Sequence, residues 1–199
     1  MQRILRLGGV IAGVILIAFG IGSIVLGMNA RDTVSTELSR ENIVGTPDMN
    51  PADTKTALEE AKLTDVSAPS CNVAGKPINS GDEARCFASY MRIHALESSG
   101  GLTYAEMGRF ALASNPADPK GTNDTEMAAK NADGSPQTNG PRQTWVTETA
   151  LATALNVSYM AEQLGLYTIV IGIALLLTGV GLIIVALGLI DRFPATSES

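Results

Sequence analysis

LRLGGVIAGVILIAFGIGSIVLGM, residues 5–28, and YTIVIGIALLLTGVGLIIVALGLI, residues 167–190, decide how this chain folds. Each is 24 residues long, and only Arg6 in the first carries a charge. A helix needs roughly 20 apolar residues to cross a hydrocarbon core of about 30 Å, so both qualify as membrane spans. Neither contains an ionisable group at mid-depth. Their only interior hydroxyls are Ser23, Thr168 and Thr178, which speaks against an ion or proton path.

Small residues are placed with a period. Gly9 and Gly13 are four apart, and Gly13, Gly20 and Gly27 are seven apart. In the second span Gly172, Gly179 and Ala186 recur at seven, as do Ala174, Gly181 and Gly188. Helices in lipid associate by close backbone packing along such residues, and a seven-residue repeat holds one stripe on one side of a supercoiling helix. The expectation is an antiparallel hairpin in which Gly9, Gly13, Gly20 and Gly27 face Gly172, Gly179 and Ala186. Ile17 falls outside the stripe. The second set of small residues is left for a partner or a second copy.

The first span has a basic start but a longer apolar run than a signal peptide, and Gly27-Met28-Asn29-Ala30 is a poor cleavage site, so it is expected to stay. Arg3 and Arg6 precede it, Arg192 follows the second span, and residues 143–166 carry no Lys or Arg. Despite Arg31 and Arg40, this distribution favours both termini in the cytoplasm of a plasma membrane.

Between the spans, residues 29–165 hold eleven basic and eighteen acidic side chains, a net of −7. Such a surface repels phosphate backbones, so nucleic acid is excluded as a partner; the bilayer and a membrane complex, or self-association through the glycine stripes, are the expected ones. The cysteines, Cys71 and Cys86, both lie here. Outside the cytoplasm such a pair is expected to be a disulfide, with free thiols and a metal site as the competing readings.

Helix signals punctuate this region. Residues 30–41 continue the first span with Ala30, Val34 and Leu38 on one face. Asn42 to Pro47, free of charge, suits a short extended segment docking on the domain. Asn50 caps a helix that opens at Pro51 and is expected to reach about Leu63. Ser80-Gly81-Asp82-Glu83 is a capping box for a helix to Ser99 whose buried face is Phe87, Met91 and Ala95 with Tyr90 and Ile93, stopped by Gly100-Gly101. Thr103-Tyr104-Ala105-Glu106 is a second box, expected to open a helix through Phe110 and Leu112 and complete a helix–turn–helix core. Residues 113–141 read as an exposed loop with one helical turn at 125–130. Val146, Ala150, Ala154, Val157, Ala161 and Leu164 then form a seam of the kind found in coiled coils, on a helix that leads into the second span.

The fold class expected is therefore all-α: two membrane helices around a small, disulfide-stapled helical domain at 29–166, with the tail at 191–199. Catalytic chemistry is not expected. His94 is the single histidine, Glu59-Glu60 sits on an exposed face, and no phosphate loop, metal motif or nucleophile triad stands out. No cofactor or metal is anticipated. ENIVGTPDM at 41–49, CFASYMRIHALESSGGLTYAEMGRF at 86–110 and WVTETALATALNVSYMAEQL at 145–164 resemble an uncharacterised family of actinobacterial two-span membrane proteins. That resemblance implies a Gram-positive cell envelope and no activity. The function expected is a non-catalytic accessory subunit or assembly factor of a membrane complex; an extracytoplasmic sensor or ligand-binding module is the alternative.

Overall fold

In a computed structural model, four α-helices carry the fold: α1 (Gln2–Arg40), α2 (Pro51–Glu60), α3 (Gly81–Ser98) and α4 (Gly140–Asp191). The structure describes residues 2–191, so the tail beyond, with Arg192, lies outside the described residues. Contacts divide the chain into two units, residues 2–34 with 161–191, and Ser35–Met160. There is no extended strand among the described residues, only isolated bridges.

The first unit consists of the apolar parts of α1 and α4, both long and apolar enough to cross a membrane. Its tightest contacts fall on small residues. A Cβ added at Gly9 would lie 2.9 Å from that of Ala186, and one at Gly13 only 2.6 Å from the Gly179 carbonyl oxygen. At Gly20 it would meet the Gly172 oxygen at 2.7 Å, and at Gly27 the Gly165 oxygen at 2.5 Å. Such distances are available only where no side chain intervenes. Ile17 belongs to this contact, contrary to expectation: its Cγ1 lies 2.8 Å from a Cβ built at Gly179. A branched side chain fills the space beside a glycine, so the contact alternates small and large. Arg31 Nη2 and Glu162 Oε1 are 3.1 Å apart in this unit. The Thr168 and Thr178 hydroxyls donate to carbonyls of their own helix, Leu164 and Ala174.

In the second unit the caps follow local chemistry. Asn42 ends α1 with φ 51°, a left-handed conformation that asparagine tolerates. The Asn50 side chain accepts from the Ala52 and Asp53 amides and starts α2, which stops at Glu60, three residues earlier than expected. Ser80 accepts from the Glu83 amide at 3.4 Å, while the Glu83 carboxylate accepts from the Asn79 amide at 3.1 Å, one residue before the cap. Gly101, at φ 85°, returns its amide to the Leu96 carbonyl and closes α3. Ile43 to Gly45 run beside residues 74–78, with the Gly45 amide donating to Lys76 and the Ile78 amide to Ile43.

Cys71 and Cys86 form a disulfide with their Cα atoms 6.1 Å apart. Beside it the Tyr90 hydroxyl donates to the Cys71 carbonyl at 2.5 Å, and burial pushes the Tyr90 phenol up from its usual range.

Three expectations are corrected here. The second capping box forms, with Glu106 accepting from both the amide and the hydroxyl of Thr103, but it opens only a 3₁₀ turn, Tyr104–Glu106. Met107 turns extended, and the Gly108 and Phe110 amides donate to the Lys120 and Thr122 carbonyls rather than to carbonyls of a helix. The helix–turn–helix core is therefore absent. Residues 108–139 form a pleated loop instead, with Phe110 bridged to Thr122 and Thr138, Leu112 to Ala128 and Lys130 to Pro136; no helical turn occurs at 125–130. Finally, α3 buries Ala84, Cys86, Ala88, Tyr90, Ile93 and Ala95, whereas Phe87 and Met91 are only half-buried.

Candidate functional site

The best-packed point of the Ser35–Met160 unit is Trp145, 2% exposed, which sits with Ala95 and Met107 against Leu96 and Leu102. Its indole N–H donates to the Leu102 carbonyl at 2.9 Å. The Arg92 guanidinium stacks 3.7 Å from the ring centroid and reaches Glu148 Oε2 at 3.4 Å. Glu148 is 5% exposed; its carboxylate is partnered by the half-exposed Arg92 and accepts a hydrogen bond from the Thr149 hydroxyl at 3.3 Å. A buried carboxylate persists only when partnered in this way.

Two open grooves flank this point and share Met91. One, of about 570 Å³, has His94, Ser98, Gln143, Thr147 and Glu148 in its walls. His94 Nε2 lies 3.0 Å from Asp48 Oδ2. The Thr46 hydroxyl, with the Asp48 amide and the nearby His94, holds the Asp48 carboxyl below its ordinary value. The sequence offered no sign of this pair, whose members are far apart along the chain. The other groove, of about 640 Å³, is mostly hydrocarbon: Leu38, Ile43, Phe87, Leu151 and Leu155, with Glu37 and Glu41 also lining it. Its chemistry suits an apolar segment rather than a reaction.

The third surface is the outward side of α4. Of the expected seam, Val146, Val157 and Leu164 are 43%, 52% and 59% exposed and Ala150 and Ala154 are exposed too, whereas Ala161 is half-buried and Ala154 also lines the apolar groove. The face turned inward is set one residue away, at Trp145, Glu148, Ala152 and Leu155. Trp145 decides the register, because burying its ring outweighs burying a few methyl groups. Between residues 143 and 188 the helix has just two charged side chains, Glu148 and Glu162, and both are paired with arginines.

Among the described residues, no three His, Cys, Asp or Glu side chains converge as a metal site would require. No family model matches the chain, and searches of curated proteins and of solved structures return no match.

Proposed function

We propose that this chain is a non-catalytic plasma-membrane protein that works through protein–protein contact, as an accessory subunit or assembly factor of a larger complex. In this reading the two apolar helices form an antiparallel hairpin across the bilayer, both termini are cytoplasmic, and the disulfide-bearing unit faces the oxidising side of an envelope of actinobacterial type.

The observation that carries it is the outward face of α4 before the apolar span. A helix bordered by water ordinarily turns charge outward. This one directs both of its carboxylates to arginine partners and exposes Val146, Val157 and Met160. A protein surface over that face would remove their hydrocarbon from water, worth about 25 cal/mol per Å².

Native gel electrophoresis after gentle extraction tests this, with Val157→Glu as the perturbation. The wild type should migrate in an assembly larger than one chain, and the variant should fall to the monomer while Trp145 fluorescence stays native. A wild-type monomer under these conditions defeats the proposal. Impermeant thiol labelling of Ser135→Cys in intact cells, in a chain keeping its disulfide, should succeed; protection until lysis would reverse the orientation.

A sensor reading is favoured by the 640 Å³ apolar groove beside Phe87, Met91 and Leu155. It predicts a thermal shift of the oxidised full-length protein by an apolar small molecule, abolished by Phe87→Ala.

A further inference from the structure

The groove of about 570 Å³ beside Trp145 has a feature that packing does not account for. Glu148 stands in its wall, 5% exposed, and both hydrogen bonds to its carboxylate end on one oxygen. Arg92 Nη1 at 3.4 Å and the Thr149 hydroxyl at 3.3 Å both reach Oε2. Oε1 accepts none from the protein. It is not sealed in the interior either: among the described residues, the closed-off side-chain atom without a partner is Arg142 Nε. An oxygen of a buried carboxylate is costly to leave unmatched, so its partner is what enters the groove.

The other polar walls have the same sense. Thr144, Thr147 and Glu148 are three and four residues apart on one face of α4, and Met91, His94, Ala95 and Ser98 share one face of α3 in the same way. Ser98, Thr144 and Thr147 each spend their hydroxyl hydrogen on a carbonyl of their own helix, Ala95 at 2.9 Å, Gly140 at 3.3 Å and Gln143 at 3.2 Å. A hydroxyl has one hydrogen and two lone pairs, so these three present oxygen lone pairs alone. His94 Nε2 lies 3.0 Å from Asp48 Oδ2, which takes its hydrogen; in the neutral ring Nδ1 is then an acceptor too. Two carboxylates, Glu148 and Asp48, stand here against one guanidinium, that of Arg92.

We propose that this groove binds a small primary alkylammonium ion, with its N–H groups on Glu148 Oε1 and the hydroxyl oxygens of α4, and its carbon chain against Met91 and Ala95. A primary ammonium carries three donors and no acceptor, the complement of walls that offer acceptors and negative charge. An anion would meet lone pairs on both sides. A metal ion held by protein ligands is a poorer fit, because no three His, Cys, Asp or Glu side chains converge among the described residues. The volume lies within the roughly 300–1,000 Å³ of small-molecule sites. The outward face of α4 takes no part, so the site stands or falls independently of the accessory-subunit reading.

Titration of the full chain in detergent micelles with n-butylammonium chloride, followed by amide NMR, tests the proposal. Saturable shifts should cluster at Ser98, Gln143, Thr147 and Glu148. Tetramethylammonium, which has the charge but no N–H, and n-butanol, which has the chain but no charge, should each bind roughly tenfold more weakly or worse, as expected for the loss of a hydrogen bond to a charged group. Glu148→Gln should weaken butylammonium binding by a similar factor, and Thr147→Val several-fold. The Trp145 indole N–H signal reports whether each variant is folded. Thr147 is exposed, so its variant decides the matter if Glu148→Gln unfolds. Shifts that never saturate, or that spread over the acidic surface, overturn the proposal. So does equal binding of tetramethylammonium, which would leave charge alone as the cause. A calcium or zinc ion that takes the same residues more tightly than the amine overturns it as well.

Discussion

Replacing Gly20 and Gly22 by alanine, one at a time, isolates the contact between the apolar helices. At Gly20 an added Cβ would lie 2.7 Å from the Gly172 oxygen and 2.8 Å from the Leu176 nitrogen, whereas at Gly22 nothing lies within 4 Å. Ordinary contact begins near 3.4 Å, so Gly20→Ala is short by about 0.7 Å against backbone atoms that move only if the helix moves. Overpacking of this kind costs about 1–3 kcal/mol. Both changes also gain the helix preference of alanine over glycine, about 0.5–1 kcal/mol, and this cancels in the comparison. The two variants should therefore differ by about 1–3 kcal/mol, or roughly 5- to 150-fold in the helix-separation equilibrium. Titration with a denaturing detergent, read by energy transfer between dyes at the starts of the two termini, measures that equilibrium in the full chain. Gly20→Ala should separate first. Coincident curves for the two variants would refute close packing of α1 on α4, and the membrane hairpin with it.

The Ser35–Met160 unit offers further tests. Removing the disulfide with Cys71→Ser and Cys86→Ser opens a loop of 15-residue separation, costing about 3 kcal/mol, and Trp145 fluorescence should report a Tm lower by roughly 6–12 °C. Trp145→Phe keeps an aromatic ring but leaves the Leu102 carbonyl without its donor, a loss of about 1–3 kcal/mol readable as a lower midpoint in urea by near-ultraviolet circular dichroism. Asp48 is depressed below 3.8 in the folded chain, so its stabilising contribution is present above pH 3.8 and is lost as pH falls through the lower folded value. Carboxyl titration by NMR should show Thr46→Ala moving Asp48 upward more than His94→Ala does; the reverse order would mean that His94, not Thr46, is its main partner.

The parts of this structure that local chemistry dictates were legible in the sequence. Asn50 and Ser80 cap because a short polar side chain reaches an orphan amide two or three residues on, Glu106 reaches back to the Thr103 amide, and the apolar spans declare themselves by length. The length of the element beyond a cap is not a local matter: Thr103 nucleates a turn, but the Gly108 and Phe110 amides go to the Lys120 and Thr122 carbonyls, and no helix grows from it. The register of α4 was hidden for another reason. Both of its faces are apolar at nearly the same period, and the inner one carries Glu148, which charge alone would assign to the surface. Only the bulk of Trp145 and the stacking of Arg92 upon it distinguish them, and Arg92 lies on another helix. The Asp48–His94 pair was invisible for the same reason, since nothing near either residue announces the other.

Asn139 is 3% exposed, and its amide nitrogen donates to the carbonyls of Gly108 at 2.9 Å and Pro119 at 2.8 Å, pinning both ends of a loop to the start of α4. It is followed by Gly140, the pair most prone to deamidation because glycine's backbone nitrogen is least hindered in attacking the side chain. Folding shields the bond by holding the amide in place, so chemical ageing at this position is a record of time spent unfolded. Conversion to a carboxylate would remove the donor and set negative charge against two carbonyl oxygens, so a chain once damaged could not close the loop again. Peptide mass mapping after heating should find the modification in unfolded chains and not in folded ones. The two hydrogen bonds that pin the loop are thus expected also to slow the ageing of the side chain that makes them.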